Sequence, residues 1–323
     1  MVAPSHAVAV ASRSFSKNQR LRDELAARYT NIRWNLTDRV LEGQELIDFL
    51  RGHERAITGL DRLDERVFSA VPELRLVSKY GVGLDMIDLE AARRHGVSIR
   101  WTPGVNRQAV AELTIAFMIA LSRRILPLAA EMRDGGWRQR RGRQISSAVV
   151  GVVGCGHVGQ QVARLCRAFG AEVIANDIRA YDDFYRAHAV TPVDLPTLLA
   201  RSDFVTLHVP LDASTRDLIG AREIASMKPG AFLINTARGG IVDEAALKAA
   251  LIDARLAGAA FDVFATEPPI DRELLRLPNF LATPHIGAST EEAALAMGRA
   301  AIAALDASPE SIDLTAEVAS PRF

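Results

Sequence analysis

The sequence has little cysteine. Cys155 and Cys166 are the two thiols in 323 residues, which excludes a disulfide scaffold and fits a reducing cytosol. It has no excess of either charge. Thirty-nine basic residues meet thirty-nine acidic ones, so no global field draws the chain to nucleic acid or to a membrane surface. It lacks a long apolar run. The longest, Ala109 to Leu121, carries Glu112 and falls short of the ~20 residues that span a bilayer. The N-terminus has no basic cluster, and Ala7–Ala11 is too short for a secretory core. There is no fixed-period repeat, no paired Cys or His-x-x-x-His spacing for a metal, and no Gly-x-Ser-x-Gly elbow for a hydrolytic nucleophile. These absences lead to a cytoplasmic chain with no metal, no membrane and no nucleic-acid partner. With 49% apolar and 24% charged residues it can fill a large core, and its length suits two domains.

Short apolar runs alternate with helical periodicity through the first hundred residues. Ala7–Val10, Ile32–Asn35, Ala56–Thr58, Leu74–Ser78 and Val97–Trp101 read as strands. Leu21, Leu25 and Tyr29 fall four apart on one helical face, and Leu46–Leu50, Glu65–Ala70 and Leu89–His95 read as further helices. Gly96 suits a helix stop. Thr102-Pro103-Gly104 breaks this rhythm, and Arg107 to Met132 reads as one mostly buried helix because Val110, Leu113, Phe117 and Leu121 leave few polar faces. Asp134-Gly135-Gly136 ends it, and Trp137 to Arg143 forms a basic arm. Strands then recur at Val149–Val153, Glu172–Asn176, Phe204–Leu207, Ala231–Asn235, Ala257–Phe261 and Phe280–Thr283. An amphipathic helix, Thr290 to Leu305, precedes a tail with Pro309 and Pro321. Strands separated by helices imply parallel pairing, hence two α/β units joined by a helical connector.

The run Val149–Val153 leads into Gly154-Cys155-Gly156-His157-Val158-Gly159, a helix follows, and a second strand ends in Asp177. Gly154 permits the tight turn, Gly156 lets backbone approach a pyrophosphate, and Gly159 lets helix and strand pack closely. Asp177 stands eighteen residues after Gly159, near the spacing of the acid that bonds the adenosine ribose. Its charge would repel a 2′-phosphate, so the pattern selects NAD, with Arg179 two residues on as a partial offset. Cys155 reads as a packing residue. Arg238 and His285 each follow an apparent strand, and in an open parallel sheet ligands gather beyond the carboxyl ends of strands. Singly, Arg238 and Glu267 could form a structural ion pair and His285 could cap a turn.

Lys79-Tyr80-Gly81-Val82-Gly83-Leu84-Asp85, Thr102–Glu112, Gly154–Gly159, Leu207-His208-Val209-Pro210-Leu211, the Asn235–Leu247 run and Thr283–Ser289 occur in an order that resembles the D-isomer-specific 2-hydroxyacid dehydrogenase family, close to its phosphoglycerate dehydrogenase branch. The resemblance covers nearly the whole chain. It implies two doubly wound parallel-sheet domains, a flavodoxin-like substrate domain of residues 1–103 and 289–323 and a Rossmann NAD-binding domain of 104–288. It implies a catalytic set of Arg238, Glu267 and His285. Reducing a ketone needs a proton at the carbonyl oxygen, and an imidazolium whose ordinary pKa is about 6.5 can give one near neutral pH. A carboxylate beside it, Glu267, would favour the charged ring, and Arg238 would bind the substrate carboxylate or polarise the carbonyl. By the same resemblance His157, Val158, His208, Val209, Pro210, Thr215, Thr236, Ala237, Asp262 and Gly287 line the cofactor, Asp262 by holding the nicotinamide amide. Lys79, Tyr80, Val82, Gly83 and Asn106, with Arg238, take the substrate.

Relatives that use 3-phosphoglycerate place an arginine in the loop after the third strand, whereas Thr58-Gly59-Leu60-Asp61-Arg62 offers one only through Arg62. An unphosphorylated 2-hydroxy or 2-keto acid, such as glycerate or lactate, is therefore the favoured substrate, with 3-phosphoglycerate kept in view. Ending at Phe323, the chain is expected to carry no long C-terminal regulatory domain. Trp137, Arg138, Arg140, Arg141 and Arg143 fall where relatives reach across a two-fold dimer, so a homodimer is expected. Two rival readings share the motifs: an NAD(H)-sensing scaffold akin to corepressors of this fold, and an oxidoreductase of phosphite type.

Overall fold

The computed structural model describes residues 6–306; residues 1–5 and 307–323, with the expected tail around Pro309 and Pro321, lie outside the described residues. Two compact units are present. One holds the chain up to Asn106 and again from Thr290, the other Arg107–Ser289.

The first unit runs β1 (Val8–Val10), α1 (Arg13–Lys17), α2 (Gln19–Ala26), β2 (Ile32–Trp34), α3 (Gly43–Leu50), β3 (Arg55–Thr58), α4 (Glu65–Ala70), β4 (Leu76–Lys79), α5 (Leu89–Arg94) and β5 (Ser98–Arg100). Its five parallel strands stand in the order β2-β1-β3-β4-β5, a doubly wound arrangement. Alternate residues feed opposite faces: Ala9, Ala56 and Val77 enter one core, Val8, Val10, Ile57 and Leu76 the other. The second of those cores is closed by the C-terminal helix of the described chain, Glu291–Leu305, through Ala301, Ile302 and Leu305. Ser78 Oγ donates to the Ala301 carbonyl at 2.8 Å, which ties that helix to β4.

The second unit continues with α6 (Arg107–Ser122), α7 (Ile125–Arg133), β6 (Val149–Val153), α8 (His157–Ala168), β7 (Glu172–Asn176), α9 (Asp182–His188), β8 (Val190–Pro192), α10 (Leu195–Arg201), β9 (Phe204–Leu207), α11 (Ala221–Ser226), β10 (Ala231–Asn235), α12 (Glu244–Ile252), β11 (Leu256–Phe261), α13 (Arg272–Arg276) and β12 (Phe280–Ala282), so Glu291–Leu305 is α14. All seven strands are parallel, in the order β12-β11-β10-β9-β6-β7-β8. Strands buried on both faces need near-continuous apolar sequence, which Val-Val-Gly-Val-Val in β6 supplies. Val153, Val205 and Leu233 fill one face, and Val150, Val152, Phe204 and Ile234 the other, where Phe204 stacks on Phe232 at 4.9 Å. The order reverses between β6 and β9, so this is the switch point at which such sheets open a crevice.

The single helix expected over Arg107–Met132 is corrected to two, bent by 61°. Arg124 adopts a left-handed φ of +53°, and Pro127 falls in the first turn of α7. Proline has no N–H, and its ring collides with the carbonyl four residues back, so a helix can start there but cannot run through. The expectation of burial holds for α6, which buries Ala111, Ile115, Phe117 and Met118, and fails for α7, which buries nothing. Among the described residues no single helix is long and apolar enough to cross a membrane.

Candidate active site

At the switch point, the first turn is built to bring backbone close. Gly154 has φ +87°, and a Cβ there would lie 2.6 Å from the His208 carbonyl oxygen, so the turn packs directly on the end of β9. A Cβ at Gly159 would lie 1.9 Å from the Gly154 oxygen, so the first turn of α8 needs a glycine where it packs on the loop. A Cβ at Gly156 would meet nothing within 4 Å, and no side chain caps α8. By contrast Asn18, Asp64, Asp88, Asp194, Asp243, Asp271 and Thr290 each cap their helices. An uncapped helix start beside open space presents N–H groups and positive partial charge, the donor set a pyrophosphate requires.

Asp177 reaches into this turn from the end of β7. Its Oδ2 accepts from the Cys155 N–H at 2.5 Å and its Oδ1 from the Arg179 N–H at 2.8 Å. Burial, with Asp177 alongside, pushes the Cys155 thiol up to about 12, so it packs as an unreactive group. Across the turn, His208 Nε2 pairs with Thr206 Oγ1 at 2.9 Å while its Nδ1 has no partner among the described residues. Burial pushes this imidazole down to about 3, so it stays neutral. An orphaned ring nitrogen beside a glycine cradle fits a polar ligand lying over the sheet edge. Val209 is buried, and Thr215 Oγ1 donates to the Pro210 carbonyl at 2.6 Å, which folds the segment after β9.

The ends of β10, β11 and β12 bring Arg238, Glu267 and His285 together. His285 Nδ1 lies 2.9 Å from Glu267 Oε2, and Glu267 Oε1 accepts from the Phe264 N–H at 3.1 Å. The Glu267 bond raises the His285 pKa above its ordinary 6.5, against burial and the Arg238 charge, which both lower it. Burial alone would raise the Glu267 pKa; the His285 bond, the Phe264 N–H and the fields of His285 and Arg238 overcome it and hold the carboxyl below its ordinary value. The ring keeps 40% of its side-chain surface exposed, and its Nε2 has no protein partner among the described residues, so the second nitrogen can reach a ligand.

His285 takes a left-handed φ of +54°, which a residue with a Cβ holds only under constraint. Buried Asp262 supplies that constraint. Its carbonyl accepts the His285 N–H at 2.9 Å. Its Oδ1 accepts from Thr283 Oγ1 at 2.5 Å and the Ile286 N–H at 2.8 Å, and its Oδ2 accepts from the Gly287 N–H at 2.7 Å. Three contributors were not singled out from the sequence. Thr283 is the first, Asn235 the second, its side chain donating to the Arg238 carbonyl at 2.8 Å and accepting from the Ala237 N–H at 3.1 Å. Thr114 is the third, with Oγ1 2.9 Å from that of Thr236. An asparagine closing the apolar strand β10 was the available signal.

Lys79, Tyr80, Val82, Gly83 and Asn106 belong to the first unit. Lys79 ends β4 and donates to the Gly59 carbonyl. The Tyr80 N–H donates to the Thr58 carbonyl at 2.8 Å, its ring meets Phe15 edge-on at 5.5 Å, and Val82 and Gly83 follow in the loop. Asn106 is buried with its Oδ1 unpartnered among the described residues. Asp61 is buried beside Lys79, its carboxylate taking the Gly59 N–H at 2.8 Å and the Leu41 N–H at 3.3 Å.

Residues 115–287 match the family described as D-isomer specific 2-hydroxyacid dehydrogenase, NAD binding domain. The chain is 40% identical over 238 residues to a hydroxypyruvate reductase of Thermotoga maritima, covering 72% of this chain and 76% of that one. It is 42% identical over 235 residues to a D-3-phosphoglycerate dehydrogenase of Methanocaldococcus jannaschii, covering 72% of this chain and 45% of that longer protein. Among solved structures it is similar to the D-lactate dehydrogenase of Aquifex aeolicus complexed with NAD and lactic acid, with a TM-score of 0.81, 26% identity, and coverage of 93% of this chain and 94% of that one.

Proposed function

The chain belongs to the D-isomer specific 2-hydroxyacid dehydrogenase family, NAD-dependent oxidoreductases of the CH–OH group, and from that premise we propose that it interconverts a small unphosphorylated 2-hydroxy acid and its 2-keto acid. The observation that carries the chemistry is the His285–Glu267 bond at 2.9 Å, which orients the imidazole and favours its charged form. When bound, NAD supplies the two-electron oxidation or reduction at the substrate carbon. Gly154, Gly156, Gly159 and the start of α8 would hold its phosphates, Asp177 its ribose, and His208, Thr236 and Asp262 the far end. In the reductive direction the His285 imidazolium gives the proton on Nε2 to the carbonyl oxygen, and in the oxidative direction the neutral ring takes it back from the hydroxyl. Arg238 binds the substrate carboxylate or polarises the carbonyl, and Lys79, Tyr80, Val82, Gly83 and Asn106 complete substrate binding.

The preference for an unphosphorylated acid rests on charge. The loop after β3 carries buried Asp61, whose carboxylate offsets part of the Lys79 charge that a phosphate would need. NADH oxidation against glyoxylate, hydroxypyruvate, pyruvate and phosphohydroxypyruvate tests this. Turnover is expected with the unphosphorylated acids, at a kcat/KM at least about tenfold above the phosphorylated one. Preference for phosphohydroxypyruvate overturns the substrate reading, and tight NADH binding without turnover on any acid favours a sensing scaffold.

Two copies of the chain associate through α7 and the residue that follows the double-glycine turn, in the cytoplasm. Helix α7 leaves Ile125, Leu126 and Met132 in contact with water, and Trp137 is 78% exposed, an apolar patch of the kind that marks a protein interface. Sedimentation should find two chains per particle and one chain after Leu126→Glu with Trp137→Ser; a wild-type monomer overturns the reading.

A further inference from the structure

Helix α6 lies against the carboxyl ends of neighbouring strands in the seven-stranded sheet. Asn235, which closes β10, pairs with Leu207 of β9 on one side and with Phe261 of β11 on the other. One residue further on, Thr236 therefore stands between His208 and Asp262 at the sheet edge. Residues in register share a face, and this face is the one α6 covers. Ile234 and Ala260, each two residues earlier on its strand, pack in one core with Ala111 and Met118 of that helix. A Cβ on Gly287, whose N–H donates to Asp262, would stand 3.5 Å from Val110 Cγ2, so the first half of α6 also reaches the turn after β12.

The protons between α6 and β10 follow from the distances. Buried Thr114 has its Oγ1 2.8 Å from the Val110 carbonyl oxygen one turn back and 2.9 Å from Thr236 Oγ1. A carbonyl only accepts, so its short contact needs the Thr114 proton. That hydroxyl has no second proton, so the bond between the two threonines is donated by Thr236. The side-chain oxygen of Thr236 makes no other bond among the described residues, and it keeps lone pairs but no proton to offer. Asp262 beside it is an acceptor too, since the Thr283 hydroxyl and the Ile286 and Gly287 N–H groups all donate to its carboxylate. Adjacent strand ends thus carry two groups that accept and cannot donate.

We propose that Thr114 is a positioning residue for the cofactor: it holds the Thr236 hydroxyl as an acceptor, so that this strand end selects the amino group of the nicotinamide carboxamide. The proposal rests on the reading that Thr236 and Asp262 take the nicotinamide end of NAD. A free threonine hydroxyl turns to give or to take a proton and so tolerates either an amide or a ketone on the ring. With its proton committed to Thr114, it pairs only with a donor. A carboxamide nitrogen brings two N–H groups and a ketone brings none, and a buried polar group left unmatched is penalised. Thr114 acts here through Thr236 alone.

Calorimetric titration of the whole protein, without substrate, tests this with NADH and with its acetylpyridine analogue, whose ring carries a methyl ketone in place of the carboxamide. The readout is the ratio of the two dissociation constants, which a smaller folded fraction leaves unchanged. Thr114→Val keeps the branched shape and removes the hydroxyl. It should weaken NADH binding by about fivefold, the contribution of one hydrogen bond, and leave the analogue as tight or tighter, because the released Thr236 proton can meet the ketone. Thr114→Ser keeps the hydroxyl and should restore the wild-type ratio. Thr236→Val should lower the preference for NADH as Thr114→Val does, and combining the two should lower it no further. Equal weakening of both ligands by Thr114→Val, an unmoved ratio, or a ratio that Thr114→Ser does not restore overturns the proposal. If Thr236→Val moves the ratio and Thr114→Val does not, the role of Thr114 falls and the placement of the nicotinamide stands. Wild-type affinity for both ligands in Thr236→Val overturns the placement together with the proposal.

Discussion

The turn after β6 and the turn after β12 leave the same edge of one parallel sheet, yet the first is shaped by backbone and the second by carboxylates. Around Gly154 the working parts are a positive φ, an uncapped helix start and one side chain, Asp177, that itself bonds the Cys155 backbone. Around His285 a residue with a Cβ is driven into the left-handed region, and Asp262 and Glu267 hold it there and set its charge. The contrast follows from what each turn does in the proposed reaction. Phosphates are recognised by N–H groups and close approach, which glycine provides. Proton transfer needs a ring of fixed orientation and fixed protonation, which requires acceptors on more than one side.

If the two turns are functionally as separate as they are structurally, substitutions should uncouple them. His285→Ala should lower the reductive kcat by about a thousandfold, within the usual range for a lost general acid, while NADH affinity stays within about threefold. Asp177→Ala should do the converse. NADH binding should weaken by about tenfold, the worth of one charge-assisted bond, and kcat should stay within about threefold. Stopped-flow binding beside steady-state rates would read both. Loss of NADH affinity in the histidine variant as large as its loss of rate would show that the turns act as one site and would break the comparison.

The same contrast explains what could be read in the sequence. The cofactor turn lies in one stretch, Val149 to Asp177, so glycine spacing, the apolar strand and the terminal acid were legible together. Arg238, Glu267 and His285 come from three loops, and only the order of motifs resembling a known family drew them together. The supports Asn235, Thr283 and Thr114 were missed because a polar residue next to a strand looks the same whether it orients a neighbour or faces water. Parallel sheets and most strand positions followed from apolar runs, whereas the short edge strand β8 and the break between α6 and α7 did not. Hydrophobic periodicity continues through Ile125 and Leu126, and the sign of the break was Pro127, whose clash with residue 123 outweighs that pattern.

A finer test asks whether Glu267 sets charge as well as orientation. His285 sits above its ordinary 6.5 because of the Glu267 bond, while burial and Arg238 both act to lower it. Reduction requires the imidazolium, so reductive kcat/KM should be level at acid pH and fall as pH rises through the raised His285 value. In Glu267→Gln the negative charge is gone, and burial and Arg238, which lower the value, are opposed only by the smaller field of Asp262. The alkaline limb should therefore move to lower pH, which costs rate at alkaline pH and little at acid pH. Oxidation requires the neutral ring, so its acid limb should move down by the same amount and the variant should gain oxidative rate below neutrality. A uniform loss with both limbs unmoved would mean that Glu267 only orients the ring. In that case the turn after β12 would resemble the turn after β6 more closely than its carboxylates suggest, with geometry alone governing the imidazole.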